Sequence, residues 1–174
     1  ILKTSKNNFI LKYPALNDKF AIIPTMNDEF SVFNIDDGSY LWNDKLYYSS
    51  KLNEFFSYEI FTLVDNENIY FADQNGGLIS FDSNLELMNW EISLGVLSMP
   101  WLSGESIYFI TNNGFVVCVR KSDGKIRWKF LLPLQEKQSN YFGPIVASDN
   151  VYLIKDDGVI YVLNSKDGNL ITEK

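Results

Sequence analysis

The chain has no histidine, one cysteine (Cys118) and only two arginines, Arg120 and Arg127, among its 174 residues. Without histidine there can be no Ser-His-Asp triad, no imidazole metal ligand and no general base of the commonest kind. A lone cysteine cannot close an internal disulfide, and inside an apolar run it reads as a small buried hydrophobe. A formal net charge of −7 with so few guanidinium groups excludes the clustered positive surface that nucleic acid or an anionic membrane requires. No stretch reaches the roughly 18 apolar residues of a membrane-spanning helix, and no signal-peptide pattern is recognisable.

The apolar fraction of 46% and aromatic fraction of 16% are those of a chain that can bury a core. Its plan is set by Ile107 to Trp128, IYFITNNGFVVCVRKSDGKIRW. An apolar run turns at Asn113-Gly114, returns through Phe115 to Arg120, turns at Asp123-Gly124 and closes on Trp128. Asn-Gly and Asp-Gly tolerate the positive φ angles of type I′ hairpin turns, so the stretch reads as two hairpins.

The same pattern recurs three times. Ala21 to Trp42 keeps Asp37-Gly38 and the Trp; Ile69 to Trp90 keeps Asn75-Gly76 and the Trp; Val151 to Thr172 keeps Asp157-Gly158 and Asp167-Gly168, with Thr172 in the Trp position. Pro14, Pro100 and Pro144 each stand seven residues before the first apolar position of their unit, and Thr62 takes that place in the unit that begins at Ile69. Each unit reads as four short strands, and no window has a helical period. The middle strands are apolar on consecutive residues, the pattern of strands buried on both faces. Spacings of 48, 38 and 44 residues from Trp42 to Trp90 to Trp128 to Thr172 match propeller blades, which recur every ~40–50 residues; a flat repeat array is the alternative. The expected fold is an all-β propeller of four-stranded antiparallel blades. Residues 1–12 would be a tail or the last strand of a preceding blade, and the four blades would be 13–59, 60–98, 99–142 and 143–174. Four blades suggest part of a larger ring, or a ring closed by self-association.

The segment from Cys118 to Trp128, with Gly124, Lys125 and Trp128 in place, resembles the tryptophan-docking repeat of the pyrroloquinoline-quinone-type propellers. Gly38 and Trp42, Asp82 and Trp90, and Gly168 match it in the other units. The resemblance implies that Trp42, Trp90 and Trp128, with Gly38, Gly124 and Gly168, are structural docking residues between blades. The family holds both enzymes and scaffolds. Its quinone dehydrogenases usually carry an adjacent cysteine pair, absent here. The carboxylates Asp36-Asp37, Asp123, Asp156-Asp157 and Asp167 all fall at repeat turns, where Asp is favoured for backbone reasons. No catalytic, cofactor or metal residue is therefore assigned, and no cofactor is expected.

The resemblance points to the non-catalytic propeller lipoprotein of outer-membrane-protein assembly. That implies a periplasmic scaffold bound to other envelope proteins, among them the barrel-assembly subunit, and anchored through a lipidated N-terminus that this chain does not contain. A dehydrogenase fragment, or a sensor domain that binds unfolded peptide, are the alternative functions. Two long linkers, residues 43–59 with five aromatics and residues 131–142 with leucines, are candidate binding loops. By position the second is the partner-binding loop, with Leu131, Leu132 and Leu134 as apolar contacts and Lys137 as its cation.

Overall fold

The computed structural model describes residues 14–24, 29–45, 60–74, 76–84, 87–133 and 140–174. They form sixteen strands in four antiparallel four-stranded meanders. The first sheet contains β1 (Ala15–Leu16), β2 (Phe20–Pro24), β3 (Glu29–Asn34) and β4 (Tyr40–Lys45). The second contains β5 (Ile60–Val64), β6 (Asn68–Asp73), β7 (Gly77–Asp82) and β8 (Leu87–Ile92). In the third are β9 (Trp101–Ser103), β10 (Ser106–Ile110), β11 (Phe115–Arg120) and β12 (Ile126–Leu131), and in the fourth β13 (Tyr141–Ala147), β14 (Asn150–Lys155), β15 (Ile160–Asn164) and β16 (Leu170–Glu173). Among the described residues there is no helix.

The chain divides into two compact units, residues 1–93 and 94–174, each holding two sheets. In the first, Ile22, Phe30, Val32 and Trp42 pack with Ile60, Ile69, Phe71, Ile79 and Phe81. Phe30 lies at its centre, 4.4 Å from Phe71 and 5.2 Å from Phe81, ring to ring. In the second, Tyr108, Ile110, Val116, Cys118 and Trp128 of the third sheet meet Val151, Leu153, Tyr161 and Leu163 of the fourth.

The repeat is as regular in space as in sequence. Val32 faces Trp42, Ser80 faces Trp90, Cys118 faces Trp128 and Val162 faces Thr172, one register in all four sheets. Each outer strand has an extra residue just before that position, Leu41, Asn89, Arg127 or Ile171, where the ladder shifts. Such a bulge steepens the local twist of the outer strand.

The corners differ from the expected type I′ geometry. At Asn113-Gly114 only Gly114 has positive φ, and its N–H donates to the Thr111 carbonyl at 2.9 Å. That is a type I turn followed by one left-handed glycine, a three-residue connection. At the second corner, the N–H of Gly38, Gly124 or Gly168 donates to the carbonyl four residues back, and again only the glycine is left-handed. The preceding aspartate accepts the N–H two residues on, as from Asp37 to Ser39, Asp123 to Lys125 and Asp167 to Asn169. A type I′ geometry does occur at Ser148-Asp149, with φ of 50° and 62° between paired Ala147 and Asn150, where the dipeptide does not announce it.

Both faces of β6, β7, β10 and β11 are buried, as their continuous apolar runs predict. β14 and β15 are equally apolar but alternate: Val151, Leu153, Tyr161 and Leu163 are buried, whereas Ile154 is 46% and Ile160 40% exposed.

Candidate functional site

The junction around Trp128 is built from the corner of one repeat and the outer strand of the one before it. β12 carries the buried indole, and its Nε1–H donates to the Ser165 carbonyl at 2.9 Å. That carbonyl also accepts the Tyr108 hydroxyl at 3.2 Å, and the Tyr108 and Trp128 rings lie 5.9 Å apart. The six-membered edge of the indole covers Gly168: a β-carbon placed there would lie 2.5 Å from Trp128 Cε3. Gly168 also sits at φ +75°, so both its backbone and its neighbour demand glycine.

Burial pushes the Tyr108 hydroxyl above its ordinary pKa, with Cys118 adding to the effect, and burial likewise raises the Cys118 thiol. Both groups are therefore neutral near pH 7, and a buried protonated thiol is inert.

Of the other expected docking residues, Trp42 is buried in the core of the first unit, edge-on to Phe30 at 5.3 Å. Trp90 is partly buried, with its ring 6.1 Å from Tyr70. Gly124 is buried like Gly168, and Gly38 is exposed; both have positive φ.

The loop after Trp128 divides between core and surface. Leu131 is 49% exposed. Leu132 is 1% exposed: its N–H donates to the Gly114 carbonyl and its side chain enters the core of the second unit. It therefore cannot serve as the surface contact expected of it, because its methyl groups are already packed. Leu134 and Lys137 lie outside the described residues, as do residues 46–59 of the other long linker.

Both ends of the second loop are held. Tyr141 donates its hydroxyl to the Pro133 carbonyl at 2.9 Å, and Asn140 and Asp156 exchange backbone and side-chain hydrogen bonds. Beside them the buried Lys155 ammonium pairs with Asp157, which lowers the Asp157 pKa and raises that of Lys155. Sequence reasoning passed over this lysine because it stands where the other units have Asp73 and Thr111, at the end of an otherwise apolar strand. Among the described residues, no three His, Cys, Asp or Glu side chains converge to hold a metal ion.

A family profile described as outer membrane protein assembly factor BamB matches residues 7–130. The outer membrane protein assembly factor BamB of Moranella endobia (strain PCIT) is 21% identical over 157 residues, covering 88% of this chain and 40% of that protein. The crystal structure of BamB from Moraxella catarrhalis superposes with a TM-score of 0.69 at 17% identity, over 92% of this chain and 47% of that one. A europium-containing methanol dehydrogenase superposes equally well, with a TM-score of 0.69 at 13% identity over 95% of this chain and 41% of its own. The chain thus spans less than half the length of each. At these identities the two structures speak for the fold alone, which is the propeller fold; the profile covers most of the chain, and by it the chain belongs to the family of the outer membrane protein assembly factor BamB.

Proposed function

We propose that the chain is a non-catalytic scaffold that helps assemble β-barrel proteins into the outer membrane by presenting surface loops to other periplasmic proteins. The observation that carries this reading is the family match over residues 7–130. The turn carboxylates support it: Asp37, Asp123, Asp157 and Asp167 each accept a backbone N–H two residues on, the work of a turn residue. In this reading Trp42, Trp90 and Trp128 are staples between neighbouring blades, with Gly168 as the seat of Trp128, and Gly38 and Gly124 are corners of the same kind. The loop from Leu131 to Lys137 contacts the barrel-assembly subunit, with Leu131 and Leu134 as apolar contacts. The protein acts in the periplasm, held at the outer membrane by an N-terminal lipid anchor.

The test is capture of the purified barrel subunit on immobilised protein. The double substitution Leu131→Asp with Leu134→Asp should weaken capture at least tenfold without moving the urea midpoint. Undiminished capture would remove the loop from the interface, and no capture by the unaltered protein would remove the assembly role. The shared propeller fold of the methanol dehydrogenase motivates one control, a titration with pyrroloquinoline quinone and a divalent or lanthanide ion, in which no saturable binding is expected.

A further inference from the structure

A cavity of about 500 Å³ opens in the second unit between the β9–β10 turn and the β13–β14 turn. Its volume falls in the range of ~300–1,000 Å³ typical of small-ligand sites. Buried hydroxyl-bearing residues line it, Ser106, Tyr108 and Ser165, together with the exposed charged residues Glu105, Arg127 and Asp149. Tyr108 is fixed by its bond to the Ser165 carbonyl, so this part of the lining is preorganised.

Among the described residues none of these three charged groups forms an ion pair, although two carboxylates and a guanidinium line one cavity. Arg127 occupies the bulge position where the other sheets place the neutral Leu41, Asn89 and Ile171. Asp149 sits with Ser148 in the left-handed region, and these are the only non-glycine residues with positive φ among those described. Such backbone costs ~1–3 kcal/mol per residue and is found preferentially where a ligand is clamped.

We propose that this cavity binds a small zwitterion of oligopeptide type, its carboxylate on Arg127 and its ammonium group on Asp149 and Glu105. A simple anion would face two carboxylates, and a simple cation would face the guanidinium. A ligand carrying both charges satisfies all three groups, and the hydroxyls of Ser103 and Ser148, which also line the cavity, can hydrogen-bond its peptide groups.

The experiment is a titration of the isotopically labelled 174-residue chain with triglycine, followed by amide chemical shifts. N-acetyl-triglycine amide, which has the same backbone and no charge, is the control. Saturable shifts confined to the cavity lining, residues 103–106, 108, 127, 146–149 and 165, are expected with triglycine, and none with the blocked peptide. Arg127→Gln and Asp149→Asn should each weaken binding at least fivefold; both positions are exposed, so an otherwise unchanged spectrum shows that the fold is intact. No saturable shift with triglycine, equal shifts with the blocked peptide, or undiminished binding by Arg127→Gln would each overturn the proposal. It stands independently of the assembly role.

Discussion

A single β-carbon at Gly168 would reach within 2.5 Å of the Trp128 ring, on a backbone at φ +75°. Gly104 has a similar φ of +52°, but nothing lies within 4 Å of a β-carbon placed there. Comparing the two separates backbone strain from collision. Gly104→Ala should cost about 1 kcal/mol, and Gly168→Ala about 2–4 kcal/mol because the indole must also move. Urea denaturation followed by tryptophan fluorescence measures both, and equal losses would show that the indole does not press on the corner. Tyr161 makes a second prediction. It is buried and donates its hydroxyl to Glu173 at 3.0 Å. Burial first, then the bond and the negative charge of Glu173, push its pKa up to about 12. A phenol titrates near ~10 in the unfolded chain, so the folded state holds its proton more tightly. That contribution is complete below pH 10 and is lost as the pH rises from about 10 through about 12. Urea midpoints of the wild type and of Tyr161→Phe, measured between pH 8 and 11.5, should converge over that interval; parallel curves would contradict the linkage.

Turns show the same contrast between local chemistry and context. Asp-Gly marks a corner in three of the four units, and at each the aspartate caps the following backbone while the glycine takes the left-handed angle. These corners were legible because each depends on two adjacent residues. The turn at Ser148-Asp149 was not, since nothing in that dipeptide asks for two consecutive positive φ angles; the paired strands β13 and β14 impose them. Replacing Ser148-Asp149 by Asn-Gly, which adopts that turn without strain, should raise stability by about 1–2 kcal/mol. A higher urea midpoint with an unchanged denaturant slope is the expected result. The same replacement removes Asp149 from the proposed zwitterion site, so triglycine binding should weaken as stability rises, a trade expected where strain serves a site.

The fourth sheet of this chain carries an exposed apolar row. Phe142, Ile154 and Ile160 are successive cross-strand partners, and they are 61%, 46% and 40% exposed. The corresponding residues of the third sheet, Ile110 and Val116, are fully buried. An apolar row of this kind is an association hazard. Ile154→Lys with Ile160→Glu places opposite charges on a cross-strand pair and should lower both concentration-dependent light scattering and the binding of a hydrophobic dye, with little change in urea midpoint. Unchanged scattering would mean that the row does not drive association.

Periodic features survive in a linear string because each is decided within a few residues. Four units of four strands, the common register of Trp42, Trp90, Trp128 and Thr172, and the family likeness carried by Gly124, Lys125 and Trp128 could all be read before any coordinate. What lies opposite a side chain could not. Leu131 and Leu132 are the same residue type side by side, yet one faces solvent and the other the core. The four-residue apolar runs 107–110 of β10 and 151–154 of β14 are alike, yet one is buried on both faces and the other on one. The convergence of Glu105, Arg127 and Asp149 on one cavity joins residues up to 44 positions apart on different strands and turns. Local pattern follows from backbone dihedrals and side-chain chemistry, which each residue brings with it; burial and charge convergence follow from which strand comes to lie against which, and that is settled only when the sheets pack.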